Sequence, residues 1–260
     1  MERYAASVVV AGGGIAGICT ALEALGRGRR VLILDRDEEA HFGGLAPESF
    51  GGLWFADTAL QRRNGIRDSL DLGLRDWLSF AEFGAEDRWP REWAEAYVNR
   101  ANAEVYEWLQ GLGVRFMPMP LWVERGLHVP GNSVPRWHLV WGTGHALHQV
   151  LARALFAHPS RNNLQIHFGH RVDEMISTNG RVSGCRGVIE ASGTPFEVAA
   201  ESVVIAAGGI NGDVDRARRH WHADWGQPPE VLLNGSHRFA DGRLHDAASE
   251  LGASVTHLDW

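Results

Sequence analysis

Apolar and polar positions along the chain follow two different periods, and the change falls near residue 160. Val8-Val9-Val10-Ala11 is a continuous apolar run, as expected for a strand covered on both faces of a parallel sheet. Ile15 to Leu25 supplies small and apolar residues suited to a helix on that sheet, and Gly26-Arg27-Gly28 ends it. Val31-Leu32-Ile33-Leu34 reads as a second buried strand. From Ile66 to Phe83 and from Pro90 to Leu112 the apolar residues recur at helical spacing. Pro90 suits a helix start and Gly111 with Gly113 its end. Trp93, Tyr97, Ala101, Val105, Trp108 and Leu112 are expected on one buried face. Residues 114–140 are irregular and rich in Pro and Trp, and Gly144 to Ala157 returns to a helical pattern stopped by Pro159.

Beyond that point short strands take over. Leu164–Phe168, Arg171–Ile176, Arg181–Glu190 and Phe196–Val198 are strand candidates, with Asn179-Gly180 and Ser192-Gly193 as turn signals. Val203 to Ala207 is another buried-type strand, ending in Gly208-Gly209, and helices are expected over 214–221 and 243–251. The pattern predicts an α/β fold, Rossmann-like, with a central parallel sheet plus a small antiparallel β-meander inserted at 164–200. Ala253–Trp260 begins an extended run and stops without a cap or charged tail, so the chain is expected to be cut inside a larger architecture.

Composition narrows the chemistry. The net charge of −7 offers nucleic acid no overall attraction. No stretch reaches the length of a membrane span. Cys19 and Cys185 are too few for a disulfide framework or a four-ligand zinc site, and with no secretory signal pattern a reducing, cytoplasmic setting is expected. All 25 Lys+Arg residues are arginine. That excludes a Walker-type phosphate loop, Schiff-base chemistry and a Tyr–Lys pair.

The most informative motif is Gly12-Gly13-Gly14-Ile15-Ala16-Gly17, which fits G-x-G-x-x-G between a strand and a helix. Gly12 would permit the tight turn, Gly14 the approach of a pyrophosphate, and Gly17 close helix–strand packing. A pyrophosphate would lie at the helix N-terminus, where free N–H groups and the helix dipole favour negative charge. Asp35 ends the second strand, placed to accept hydrogen bonds from ribose hydroxyls. These features say dinucleotide. A second glycine-rich loop at 41–52, shortly after the acid, favours FAD over NAD, because it is placed to approach the extended part of a larger cofactor.

Together these features resemble the fumarate reductase / succinate dehydrogenase / 3-ketosteroid dehydrogenase flavoprotein family, and bacterial FAD-binding dehydrogenases within it. The matching segments run through nearly the whole chain. They include Val8–Gly17, Leu34-Asp35, Gly43-Gly44, Ser49 to Gly52, Gln61 to Ser69, Trp89 to Ala94, Gly131 to Arg136, Trp141 to Gly144, and Ala206 to Gly209. The resemblance implies one FAD-binding domain over 1–260, with pyrophosphate carried by Gly12, Gly14, Ile15, Ala16 and Gly17. It implies the adenosine ribose at Asp35, with Arg36 beside it, and the flavin side along Gly43, Gly44, Ser49, Gly51 and Gly52. Val172 matches the position whose backbone meets adenine, and Ala207-Gly208 the strand end packed near the dinucleotide. In the second loop Leu45, Pro47 and Glu48 depart from the small, polar or aromatic residues usual there.

The activity implied is an FAD-dependent dehydrogenase or reductase acting on a CH–CH bond next to a carbonyl, with a steroid-like, enoate or dicarboxylate substrate. Family members continue into a capping domain carrying substrate-binding and proton-transfer residues, so the cap is expected to be missing. The alternative is a truncated, non-catalytic flavin-binding module covered by self-association or a partner chain; an NAD-dependent dehydrogenase ranks below both. No catalytic residue is assigned. Tyr4, Tyr97 and Tyr106 are the only tyrosines, and none is placed for proton transfer. His145 with His148, and His220 with His222, lack the partners of a metal site, so none is expected. The 11 tryptophans are read as core or inter-domain filling.

Overall fold

The computed structural model describes residues 1–122, 125–126 and 129–259. In chain order the first elements are β1 (Glu2–Ala11), α1 (Ile15–Gly26), β2 (Val31–Leu34), β3 (Gly52–Trp54), α2 (Ala59–Arg63), α3 (Leu70–Phe80), α4 (Arg88–Ala101) and α5 (Trp108–Gly111). Then come β4 (Trp137–Leu139), α6 (Thr143–Phe156), β5 (Leu164–His167), β6 (His170–Thr178), β7 (Arg181–Ile189), β8 (Thr194–Ile205), α7 (Val214–Arg219) and α8 (Arg243–Glu250). The chain divides into two compact units, Met1–Leu45 with Leu151–Trp260, and Ala46–Val150.

The first unit carries a six-stranded sheet in the order β5-β2-β1-β8-β7-β6. The first four strands of that order pair in parallel and the last two join by antiparallel pairing. All four residues of β2 are buried, which explains why its run carries no alternation. α1 buries Ile18, Ala21, Leu22 and Leu25 along one stripe. Val9, Leu32, Leu34, Val172, Phe196, Val198 and Leu244 form a continuous core.

Three strand readings change. The first strand starts at Glu2, not near Val8, because its polar beginning pairs in register with Phe196 to Ala200. The separate candidates at 196–198 and 203–207 fall in one strand, β8, which ends at Ile205; Glu201 and Ser202 interrupt its apolar run, while Ala200 and Ser202 stay in register with Ala6 and Val8 of β1. Leu164–His167 is an edge strand parallel to β2 rather than a neighbour of β6. Residues 253–259 form no strand, and Trp260 lies outside the described residues.

The second unit holds a two-stranded antiparallel pair, β3 with β4, and helices α2 to α5. Gly52, read as loop, opens β3 opposite Leu139. β4 forms inside the stretch read as irregular, of which Val123, Glu124, Leu127 and His128 lie outside the described residues. The expected face of the long helix also shifts. Ala94, Val98 and Ala101 are buried, whereas Trp93 is 74% exposed. Residues Asn102–Glu107 form a π-helix, so the next buried positions are Tyr106 and Leu109, and Trp108 turns outward. The wider π turn inserts a residue into the apolar spacing, which a 3.6-residue period does not register.

At the centre of this unit Arg136 is fully buried and ion-paired to Asp68 and Asp76, each at 2.7 Å. Its Nη1 also donates to Asn132 at 2.8 Å, and Gln61 donates to the same Asp68 at 2.8 Å. Thr58 and Gln61 form a capping box on α2. His138 Nδ1 faces the Arg136 carbonyl at 2.7 Å, which makes it an N–H donor, and Nε2 meets the Thr58 hydroxyl at 2.8 Å. Burial drives the His138 imidazole down to about 4, against the pull of the Arg136 carbonyl and Asp68.

Candidate functional site

An open cavity of ≈ 530 Å³ lies in the first unit, at the C-terminal ends of β1, β2 and β8. Ligands of open α/β sheets bind at this end of parallel strands. The glycines of the first loop divide sharply by what a side chain would meet. Gly12 has φ +114, and a Cβ there would lie 2.3 Å from the Ala206 carbonyl oxygen. A Cβ on Gly13 would lie 2.2 Å from Asp35 Oδ2, and one on Gly17 would lie 2.0 Å from the Gly12 carbonyl oxygen. These three positions are closed by the protein itself. At Gly14 the nearest protein atom would be 3.9 Å away, and the residue stands in the cavity wall. Its missing side chain leaves room for a ligand, not for packing.

α1 starts at that point with Gly14 as its N-cap and no side chain capping it. The first-turn N–H groups of a helix have no partner within it, so this end presents donors and a positive dipole to the cavity. The second loop is tied to the first. Gly43 N–H donates to the Gly13 carbonyl at 3.1 Å, and Gly14 bridges to Gly43 in parallel. Asp35, 8% exposed, accepts the Gly13 N–H at 2.9 Å on Oδ2 and the Asp37 N–H at 2.8 Å on Oδ1. Burial pushes its carboxyl above the ordinary range, while those two N–H groups pull the other way.

A family model described as an FAD binding domain matches residues 7–259. The chain belongs to that family. The FAD-binding chain is 42% identical over 273 residues to a KsdD-like steroid dehydrogenase of Mycolicibacterium smegmatis, covering 98% of this chain and 49% of the relative. A KsdD-like steroid dehydrogenase of Mycobacterium tuberculosis is 41% identical over 277 residues, with 99% and 48% covered. The chain thus spans about half the length of these relatives. Among solved structures it is similar to the 3-ketosteroid-Δ4-(5α)-dehydrogenase from Rhodococcus jostii RHA1 in complex with 4-androstene-3,17-dione. The TM-score is 0.81 at 25% identity, over 100% of this chain and 56% of that one. It shares its fold with the open conformation of a flavocytochrome c3 fumarate reductase, TM-score 0.75 at 20% identity, over 96% and 41% of the two chains.

The cofactor is FAD, and the NAD alternative falls. The cavity suits it on geometry alone: a wall position left open by Gly14, an uncapped helix N-terminus and a buried acid at the end of β2. Of the residues expected from sequence, Gly12, Gly14, Ile15, Ala16, Asp35, Arg36, Gly44, Val172, Ala207 and Gly208 line it together. Gly17 and Gly43 sit behind the wall, packing against Gly12 and bonding to Gly13 respectively. Ser49, Gly51 and Gly52 belong to the other unit. There Gly51 has φ +64 and its carbonyl accepts the Val140 N–H at 3.0 Å, while the Gly144 N–H donates to the Ser49 carbonyl at 2.9 Å.

Sequence reasoning missed the far wall, formed by Ser236, His237, Phe239, Asp241 and Gly242. Arg36 reaches it, donating to Asp241 at 2.9 Å and lying 4.3 Å from the Phe239 ring centroid. Burial works against the Asp241 charge, but the Arg243 N–H and Arg36 outweigh it and hold that carboxyl below its usual range. The only sequence hint was Asp241-Gly242 before a helix, a signal too short to read alone. Among the described residues no group of three or more His, Cys, Asp or Glu is placed to hold a metal ion. No helix there is long and apolar enough to cross a membrane.

Proposed function

We propose that this chain supplies the FAD-binding part of an oxidoreductase that adds or removes hydrogen across a carbon–carbon bond beside a carbonyl, with a steroid-like compound as substrate. The observation that carries the cofactor half of this reading is the cavity wall at Gly14, open to a ligand and flanked by the uncapped N-terminus of α1. The substrate half is supported by the likeness to KsdD-like steroid dehydrogenases and to a 3-ketosteroid dehydrogenase bound to a steroid. Bound FAD would accept or donate hydride at flavin N5. Gly12, Gly14, Ile15 and Ala16 would receive the pyrophosphate through backbone N–H groups, with Gly17 packed behind them, and Asp35 the adenosine ribose. Val172 would lie by the adenine, with Ala207-Gly208 packed near the dinucleotide and Gly43-Gly44 toward the flavin.

The proton-transfer group would come from outside this set. Tyr97 donates its hydroxyl to the Trp54 carbonyl at 3.0 Å, and burial pushes it up to about 12. Tyr4 is pushed up to about 12 by burial and by its bond to Glu2, and Tyr106 is raised by burial. None of the three lines the cavity. This favours a second reading, in which the chain is a flavin-binding module that turns over only when a partner chain or a second copy completes the site. Reconstitution with FAD followed by dye-linked turnover of steroid and enoate substrates separates the readings. Turnover supports the first; a chain that holds FAD without turnover supports the second.

A further inference from the structure

The turn after β2 carries two buried acids, Asp35 and Asp37, and only the first lines the cavity. Asp37 is 5% exposed and is not among the cavity-lining residues. Its Oδ1 accepts the Glu38 N–H at 2.9 Å, Nη2 of Arg238 at 2.8 Å and lies 3.2 Å from His41 Nδ1. Its Oδ2 lies 3.2 Å from His237 Nε2. Arg238 follows Asp37 by 201 residues, so this contact joins the β2 turn to the far wall of the cavity.

That wall has little structure of its own. Residues 226–241 contain neither strand nor helix, and beyond the Gly226 N–H to the Ala223 carbonyl at 3.3 Å at its start, the segment's backbone tie to the rest of the chain is the Gly212 N–H to the Ala240 carbonyl at 2.8 Å. Side chains hold it as well: Arg218 donates to the Pro229 and Glu230 carbonyls at 2.7 and 2.6 Å, and the β2 turn holds residues 237–241. Arg36 pairs with Asp241, Asp37 pairs with His237 and Arg238, and both guanidinium groups rest on the Phe239 ring, at 4.3 and 4.5 Å from its centroid. Asp37 also acts inward, since its own N–H donates to Asp35 Oδ1. Asp37 therefore reaches the wall through its carboxylate and Asp35 through its backbone N–H. Its charge is the element that matters, because a buried carboxylate taking charge-assisted bonds has no water to replace a lost partner.

We propose that Asp37 is a positioning residue that fastens the 236–241 wall across the cavity and thereby sets affinity for the adenosine half of FAD. The proposal rests on the cavity being the FAD site, with Asp35 at the ribose end. Binding of FAD and of ADP to the apo chain, followed by calorimetry, tests it. Asp37→Asn should weaken FAD and ADP alike, by about tenfold or more. Arg238 is 63% exposed and Asp37 keeps the Glu38 N–H and the His41 and His237 contacts without it, so Arg238→Ala should lower the melting midpoint less than Asp37→Asn and weaken both ligands by a smaller, matching factor. Arg238→Lys, which keeps a charged donor for Asp37, should recover most of that loss. The double variant should lose no more than Asp37→Asn alone. Wild-type binding with FAD and ADP affinities unchanged in both single variants would overturn the proposal, as would a loss for FAD without one for ADP. A wild-type chain that binds neither ligand would overturn the reading of the cavity itself, a result distinguishable from both.

Discussion

The Gly13 amide donates to Asp35 Oδ2 at 2.9 Å, which ties the acid ending β2 into the loop that follows β1. With the Asp37 N–H on the other oxygen, Asp35 needs both carboxylate oxygens as acceptors. Asn offers one acceptor and turns a donor toward the second N–H. Asp35→Asn is therefore expected to cost about 1–3 kcal/mol of stability and to weaken ADP binding as well. Chemical denaturation of the apo chain and calorimetric titration measure the two effects separately.

Gly14 and Gly17 belong to one motif but should fail differently. Alanine at Gly14 points into the cavity with no protein atom closer than 3.9 Å, and its φ of −70° suits any residue. Gly14→Ala should leave the unfolding midpoint within about 0.5 kcal/mol of wild type while lowering FAD affinity by about tenfold or more. Alanine at Gly17 would meet the Gly12 carbonyl at 2.0 Å. It should destabilise the apo chain by about 1–3 kcal/mol before any ligand is added. If both variants lost stability equally, Gly14 would be a packing glycine and not a ligand-facing one.

The part of the site built from consecutive residues was legible in the sequence. Strand, glycine turn, helix and terminal acid fall within residues 8–35, and each leaves its own local pattern. Gly13 escaped notice because its role is to clear Asp35 and Phe42, a contact no spacing rule encodes. The far wall escaped for a similar reason: His237 to Asp241 meet Arg36 and Asp37 only after the sheet has folded. In the second unit the segments at 61–69 and 131–136 stood out as matches, but the reason emerged only in three dimensions. Arg136 joins them by clasping the fully buried side chain of Asp68. The π turn at Asn102–Glu107 defeated periodicity because it inserts a residue into the apolar spacing, and the interruption at Glu201 and Ser202 did so because pairing with β1, not local pattern, keeps β8 continuous.

The Arg136 cluster makes a sharp prediction for stability. Arg136→Met leaves Asp68 and Asp76 buried without their common cation, and should destabilise by about 3–5 kcal/mol. Burial works against the Asp76 charge, but the Ser133 hydroxyl and N–H and Arg136 outweigh it and hold the carboxyl below its ordinary range. A depressed acid stabilises the fold above its unfolded value and loses that contribution as pH falls through the folded one. The variant should therefore show a shallower acid limb in urea denaturation than wild type. An unchanged acid limb would mean that Arg136 does not control this titration.

His138 adds a second pH dependence in the same unit. Its imidazole is fully buried and held down to about 4 against an ordinary 6.5. Between those values the unfolded chain binds the proton and the folded chain does not, so stability falls as pH drops from 6.5 toward 4. The full effect is at most about 3 kcal/mol. Following the His138 ring protons by NMR across this range should show no titration above pH 5; a midpoint near 6.5 would contradict the buried neutral imidazole.

The most direct measurement is the absorption spectrum of the purified chain before and after incubation with FAD and gel filtration. The cavity at Gly14 and Asp35 predicts a flavin spectrum that travels with the protein, releases FAD on denaturation, and is lost in Gly14→Ala while that variant stays folded. A folded wild-type chain that emerges colourless after incubation with FAD would contradict it.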